Sequence, residues 1–480
     1  MKQQLAGWLV ALLLGGLSVQ SHSSAQPNIL FIYVDDLGYG DLGSYGHPVI
    51  KTPHLDKLAS DGLRLTNYYA PSALCSPSRA GVLTGRTPYR TGIKSWIPEN
   101  TNIFLRKNET TLAELLKSQG YETALIGKWH LNSDLGNEDE PQPLDHGFDY
   151  AYGHNAFQIP TNYNPTNIFR NGKSVGEVIG YTADIYANEA ISWLADQTPQ
   201  TPFFMFLSMA EPHSQFENPA HYNQLYAEFT RGEVVAIPSG EKSIPTEKLI
   251  ARGPGEYYAN VTYMDAQLGR VLQALDQLDM AANTLVVFAS DNGPVTSDWR
   301  AWWEINAHGS TGGLRGRKHG LYEGGIKVPA IIRYPGVIVG GAESAQIITG
   351  MDFFPTLAKL GRAEIPSDRP IDGIDIAPVF TGGTLKKRTL FWAMPTDSEV
   401  EYVVREGPWK LLSAKDLQSV ALFNLDNDPY EFFNLVQSES VVLKRLEGQM
   451  AEMIRSISND PLRISQLGTK TAPSINVISE

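Results

Sequence analysis

Asn28-Ile29-Leu30-Phe31-Ile32-Tyr33-Val34 runs directly into Asp35-Asp36-Leu37-Gly38. Six apolar residues after Asn28, without alternation, form the pattern of a strand buried on both faces, as in the middle of a parallel sheet. The same grammar recurs. Glu122–Gly127 reads as a strand followed by Lys128-Trp129-His130. Phe203–Ser208 is followed by Glu211-Pro212-His213, and Thr284–Ser290 by Asp291-Asn292-Gly293. Between them lie helical patterns. Thr52 and Pro53 open a helix over His54–Asp61. Thr111-Leu112-Ala113-Glu114 has the form of a capping box, closed by Gly120. Thr182–Asp196 is amphipathic, and a long helix spans about Glu256–Asp279. Val328–Arg333 is one more strand. This alternation predicts an α/β fold with a large, open, mostly parallel sheet sandwiched by helices. Ligands of such sheets bind beyond the carboxyl ends of the strands, where Asp35, Asp36, Lys128, His130, His213, Asp291 and Asn292 all fall.

The texture changes near Phe380. Leu390–Ala393, Glu401–Arg405, Trp409–Ser413 and Ala421–Leu425 read as short strands with tight turns, followed by a helix over Val441–Ile457. The expected organisation is a catalytic domain over 26–380 and a smaller antiparallel-sheet subdomain with a terminal helix over 381–480. Residues 1–25 read as a signal peptide: Lys2 is the charged start, Leu5–Leu17 the apolar run, and Ser23-Ser24-Ala25 the small residues before a cut. That run is too short for a stable bilayer anchor. The expectation is an exported protein, periplasmic or secreted, without a membrane anchor; an uncut N-terminal anchor is the alternative. The 480 residues carry 39 Lys+Arg against 52 Asp+Glu, a net charge of −13. Loss of Lys2 makes it −14. This acidic balance opposes general nucleic-acid binding.

Cys75 is the only cysteine. An intramolecular disulfide and a cysteine-based metal cluster are therefore excluded. Asp35-Asp36 and Asp291-Asn292 supply hard oxygen ligands suited to Ca²⁺ or Mg²⁺; the alternative is that they cap loops. Arg79, Lys128 and Lys318, with His130 and His213, would surround an anion such as sulfate or phosphate; for a lone Lys or His the alternative is a solvated surface group. Cys75-Ser76-Pro77-Ser78-Arg79 reads as a loop, with Pro77 opening a helix to Leu83. A cysteine at a helix start beside an arginine is acidified, which points to a thiolate nucleophile. A hard-cation site fits a thiolate poorly.

Cys75-Ser76-Pro77-Ser78-Arg79-Ala80-Gly81-Val82-Leu83-Thr84-Gly85-Arg86 resembles the signature of the formylglycine-dependent sulfatases, which have an alkaline-phosphatase-like fold. Four further segments resemble that family: Asn28–Asp41, Gly127–Leu131, Ser290–Gly293, and Gly316-Arg317-Lys318 with Glu323-Gly324-Gly325. Leu425–Leu435 (LDNDPYEFFNL) is similar to its C-terminal motif. The resemblance implies that Cys75 is converted to formylglycine by a formylglycine-generating enzyme. Hydrated, that residue would attack sulfur and later expel sulfate. The resemblance also implies one Ca²⁺ held by Asp35, Asp36, Asp291 and Asn292, with residue 75 at the ion. Arg79 would hold the hydrate, Lys128 and Lys318 the sulfate oxygens. His130 would assist sulfate release and His213 would protonate the leaving alcohol. One departure concerns His213: the run is Pro212-His213-Ser214-Gln215-Phe216, without the second proline of the family pattern.

Trp299-Arg300-Ala301-Trp302-Trp303 lies between the second acidic doublet and Lys318. Trp299, Trp302 and Trp303 would stack on sugar rings and Arg300 would meet a further anion; packing of the tryptophans onto the core is the alternative. A sulfated carbohydrate is the expected substrate. Two other functions remain open: a phosphate or phosphonate monoester hydrolase using the same nucleophile, and a non-catalytic sulfated-sugar-binding protein.

Overall fold

The protein is described by a computed structural model over residues 26–155, 162–213, 216–229, 254–295, 308–395 and 400–462. In chain order its strands are β1 (Asn28–Val34), β2 (Leu63–Leu65), β3 (Tyr68–Tyr69), β4 (Glu122–Gly127), β5 (Tyr150–Gly153), β6 (Ile168–Arg170), β7 (Lys173–Gly176), β8 (Phe203–Ser208), β9 (Thr284–Ser290), β10 (Ala330–Arg333), β11 (Ala342–Ser344), β12 (Ile348–Thr349), β13 (Thr389–Ala393), β14 (Tyr402–Glu406), β15 (Trp409–Ser413) and β16 (Ser419–Asn424). Its α-helices are α1 (Pro53–Asp61), α2 (Cys75–Thr84), α3 (Pro88–Thr91), α4 (Leu112–Lys117), α5 (Thr182–Ala195), α6 (Ala220–Gln224), α7 (Pro254–Gln277), α8 (Glu323–Ile326), α9 (Phe353–Leu360) and α10 (Ser440–Ser458).

Ten strands form one sheet in the order β11-β2-β10-β9-β1-β8-β4-β5-β6-β7. Its centre, β9-β1-β8-β4-β5, is parallel. β1 sits in the middle and shows why its run has no polar alternation. Ile29, Phe31 and Tyr33 pack with α2, α4 and α9. Leu30, Ile32 and Val34 pack with α1, α5 and α7 on the other face. With both faces buried, every position favours an apolar side chain. β10 departs from expectation. It begins at Ala330 and pairs antiparallel with both β9 and β2.

The capping box of α4 is present in both directions, Glu114 N–H to Thr111 Oγ1 (3.2 Å) and Thr111 N–H to the Glu114 carboxylate (2.7 Å). Helix α2 begins at Cys75, two residues before the expected Pro77, which leaves Cys75 in its first turn rather than in a loop. All ten of its residues are buried.

β13–β16 form an antiparallel meander. One face is covered by α10 through Leu446 and Met450. The other joins Trp392, Val403 and Leu412 to Tyr69, Leu74, Leu321 and Ile326 of the main body. The Trp392 indole N–H donates to the Ala70 carbonyl (2.9 Å) at this seam. Among the described residues no helix is long and apolar enough to cross a membrane.

Candidate active site

Strand register builds the site. Val34 is level with Ser290, Tyr33 with Ser208, and Ser208 with Gly127. The residues after four parallel strands therefore emerge as neighbours. Backbone hydrogen bonds continue past the strand ends: Asp291 N–H to Val34 O (3.0 Å), Asp35 N–H to Glu211 O (3.1 Å) and Lys128 N–H to Ser208 O (2.8 Å). Gly127 has φ +105°, and a Cβ there would stand 1.8 Å from Ser208 O, so only glycine allows the turn that delivers Lys128. Asp36 (φ 66°) and His130 (φ 56°) take up left-handed backbone without being glycine. Such conformations are costly and persist where surroundings enforce them.

The structure brings Asp35, Asp36, Cys75 and Asp291 together, with one potential ligand atom from each lying within 4.8 Å of the others. All four are buried. Cys75 Sγ donates to Asp35 Oδ1 (3.3 Å). The Lys128 ammonium pairs with Asp35 Oδ2. Lys318 Nζ lies 2.7 Å from Asp36 Oδ2, and His213 Nε2 is 3.5 Å from the same oxygen. Arg79 spans the cluster: one guanidinium nitrogen is 2.7 Å from Asp291 Oδ2 and 3.3 Å from Asp35 Oδ2, while another reaches the Lys128 carbonyl (3.2 Å) and the Ser208 hydroxyl. Its Cζ lies 5.5 Å from the centroid of the Tyr33 ring. Asn292 Nδ2 donates to Asp36 Oδ1 (2.6 Å). The His130 ring meets the Ile97 carbonyl at 3.1 Å through Nε2.

The electrostatics divide these groups. Burial opposes ionisation of Asp35, but Lys128, His213, Arg79 and Lys318 together hold its carboxyl well below the usual range. Burial and then the charge of Asp35 push Asp291 up. Burial opposes a charge on Lys318, yet Asp36 keeps its ammonium protonated. Burial and Lys128 depress His130, and burial and Lys318 depress His213. Cys75 corrects an expectation. Its thiol is pushed far up, by burial and then by Asp35, and the helix start does not acidify it. A buried thiol beside a carboxylate is a poor nucleophile.

The residues present fit a hard divalent cation. Three carboxylates converge, and Asn292 Oδ1 is a buried amide oxygen without a hydrogen-bond partner. An unsatisfied buried acceptor costs about 1–3 kcal/mol, a cost a bound cation would remove. Oxygen-only donors of this kind suit Ca²⁺ or Mg²⁺.

Sequence reasoning missed Ser208, which anchors Arg79, and Ser78, whose hydroxyl donates to the Asp291 carbonyl. Ser208 was within reach of the strand-end rule, as the last residue of β8. It also missed His154, a buried ring 2.5 Å from the Tyr186 hydroxyl whose carbonyl accepts the Trp129 N–H. His154 follows the four-residue β5, which carries no sequence signal. Trp299, Arg300, Trp302 and Trp303 lie outside the described residues.

Carboxylates and cations gathered at the carboxyl ends of a mixed sheet, over a helix that begins with the candidate nucleophile, define a hydrolase of the alkaline-phosphatase-like class. The family described as Sulfatase matches residues 27–363, and one described as N-sulphoglucosamine sulphohydrolase, C-terminal, matches 316–459. Arylsulfatase A of Bos taurus is 33% identical over 489 residues, covering 92% of this chain and 91% of the relative. N-acetylgalactosamine-6-sulfatase of Canis lupus familiaris is 31% identical over 411 residues, covering 80% and 72%. Among solved structures, Ps i-CgsB in complex with k-i-k-neocarrahexaose shares the fold with a TM-score of 0.76, at 24% identity over 90% of this chain and 93% of that one. The chain belongs to the sulfatase family and is a sulfuric ester hydrolase.

Proposed function

We propose that the protein is an exported carbohydrate sulfatase whose nucleophile is residue 75, made from Cys75 by a formylglycine-generating enzyme. The convergence of Asp35, Asp36 and Asp291 on residue 75, ringed by Arg79, Lys128 and Lys318, carries this reading. Asp35, Asp36, Asp291 and Asn292 would hold one Ca²⁺. The ion would offset anionic charge at the reacting group. Formylglycine would supply a hydrated aldehyde in place of the thiol, whose raised pKa suits it poorly to attack.

The charge balance explains how an anionic ester is accepted in an acidic protein. Three carboxylates against Arg79, Lys128 and Lys318 sum to zero. A divalent ion would make the pocket +2. Lys128 and Lys318 would then turn from Asp35 and Asp36 toward the sulfate oxygens. Arg79 keeps the carboxylates in place while holding the nucleophile. His213, beside Asp36, is the group for protonating the leaving alcohol, and His130 for assisting sulfate release.

The carbohydrate substrate is supported by the sugar-directed names of the N-acetylgalactosamine-6-sulfatase relative and of the family matching 316–459; Trp299, Arg300, Trp302 and Trp303 would contact it. Residues 1–25 support export to the periplasm or medium. We read 26–380 as the catalytic unit and 381–480 as its smaller companion.

The test is the mass of the peptide containing residue 75, together with sulfate and phosphate release from paired 4-nitrophenyl esters. Formylglycine and preference for the sulfate ester are expected. Thiol alone would remove the mechanism, and preference for phosphate would favour a phosphate or phosphonate monoester hydrolase. Sugar binding without turnover would mark a non-catalytic relative.

A further inference from the structure

The LDNDPYEFFNL motif (425–435) contributes nothing directly to the site, yet it contains one of the most buried acids in the chain. Glu431 is fully buried, with left-handed backbone at φ 59°. Asp428 shapes the turn that places it by accepting the N–H groups of Phe432 (3.1 Å) and Phe433 (2.8 Å). The Glu431 carboxylate leaves its own subdomain. Oε2 accepts the backbone N–H of Glu323 (2.7 Å), and the Glu431 carbonyl accepts Arg315 Nη1 (2.9 Å). Lys410, buried in β15, pins it: Nζ is 2.8 Å from Glu431 Oε1 and 2.9 Å from Glu323 Oε1. Glu323 also accepts the Tyr69 hydroxyl (2.5 Å).

Arg315 and Glu323 are the two ends of the turn that carries Lys318. Gly324 N–H donates to Arg315 O (2.7 Å). The turn folds onto glycines with no room to spare: a Cβ on Gly324 would stand 2.2 Å from Gly316 O, and one on Gly325 would stand 1.9 Å from Gly320 O. From there Lys318 N–H bonds Pro294 O (3.0 Å), Gly293 N–H bonds Gly325 O (2.9 Å), and Lys318 Nζ reaches Asp36. One connected path thus runs from β15 through Glu431 to the cation at the candidate sulfate pocket.

We propose that Glu431, clamped by Lys410, is a positioning residue for Lys318, so that the small sheet sets the affinity of the pocket for the sulfate group. This rests on the reading of Lys318 as a sulfate-binding cation. A buried carboxylate that accepts a backbone N–H and pairs with a buried ammonium, while its own main-chain carbonyl takes a guanidinium, fixes a loop more firmly than apolar packing does, because losing it leaves buried donors unpaired.

The experiment is calorimetric titration of the full-length protein with inorganic sulfate, alongside its melting temperature, for Glu431→Gln, Arg315→Gln, Lys318→Ala and the Glu431→Gln/Lys318→Ala pair. Glu431→Gln is expected to weaken sulfate about tenfold, the loss of roughly one charge-assisted hydrogen bond. Exposed Arg315→Gln is expected to weaken it about threefold with an unchanged melting temperature. The double variant should bind no more weakly than Lys318→Ala alone, because both changes act through one group. Lower stability with unchanged sulfate affinity in Glu431→Gln, or effects that multiply in the pair, would overturn the inference. Should Glu431→Gln not fold, unchanged affinity in Arg315→Gln overturns it. Unchanged affinity in Lys318→Ala would instead overturn the site reading on which it rests.

Discussion

Helix α2 joins two buried charge clusters of the same size, and only one of them has the chemistry of a site. At its first turn, Arg79 with Lys128 and Lys318 faces Asp35, Asp36 and Asp291. Just past its end, Arg86 with Arg90 and Arg106 faces Glu109, Asp372 and Asp460. Both hold three cations against three anions, and Arg79 within the helix and Arg86 beyond it are both fully buried. The arrangement separates them. At the Arg86 end the carboxylates are interleaved with guanidinium groups: Asp460 takes Arg86 on one oxygen (2.9 Å) and Arg90 on the other (3.2 Å), Glu109 sits between Arg86 and Arg106, and Asp372 pairs with Arg90 and the Thr87 N–H. At the Arg79 end the carboxylates converge on one another, and among the described residues theirs is the only such cluster. Interleaved charges hold parts together. Crowded like charges beside an unpaired amide oxygen cost stability, and a site bears that cost to hold a ligand.

The comparison can be broken at either end. The largest effect is expected from Cys75→Ala, which should lower sulfate-ester turnover by on the order of 10⁴–10⁶ while the melting temperature stays close to that of the parent; steady-state assay and calorimetry check both. Asp291→Asn comes next. Activity should fall by roughly 10²–10³, as expected for loss of a key electrostatic group, together with Ca²⁺ affinity by titration. In chelator its stability should be equal to or above the parent, since one crowded charge is gone; a large loss there would mean the two ends are alike.

Asp460→Asn should behave in the opposite way. Breaking a buried pair on one side costs about 3–5 kcal/mol, read in urea unfolding, with kcat within a few-fold. The smallest effect is in acid. Burial raises the Asp460 pKa, but its hydrogen bond to Arg86 and the nearby guanidinium charges win and hold it below the ordinary value. A depressed carboxylate stabilises above its unfolded pKa and loses that contribution as pH falls through the folded one. Stability should therefore lose this contribution below about pH 4, and that share of the acid decline should be missing in Asp460→Asn.

The four central strands were legible because burial on both faces leaves continuous apolar runs, and their ends then located most of the site. Val34–Asp35 and Ser290–Asp291 are boundaries a sequence shows plainly. The capping box at Thr111 was legible for a similar reason, since side chain and backbone lie three residues apart. β5, β6, β7 and β11 were not: β5 is largely buried but only four residues long, and the other three are three or four residues long and partly or wholly solvated. The antiparallel direction of β10 is set by which neighbours it meets, which local pattern does not encode. The Cys75 environment was misread because the helix dipole is a local property, whereas burial and the facing Asp35 come from 40 residues away. The partnership of Lys410 with Glu323 and Glu431 was invisible for the same reason.

A surface helix can drift through many spellings on its wet face. α2 has no wet face. The chemistry asks only for residue 75 and Arg79, yet Gly81 lies where a Cβ would meet Pro71 at 2.5 Å, and Gly85, at φ 67°, where one would meet Phe354 at 2.6 Å. Thr84 is tied to the Ala80 carbonyl at 2.7 Å, and Arg86 to Asp460. Saturation mutagenesis across Cys75–Arg86 would find nearly every position intolerant, most of them through folding yield rather than through turnover. The length of this word in the sequence thus measures how deeply its helix is enclosed, and its two reactive letters are preserved inside a spelling that packing dictates.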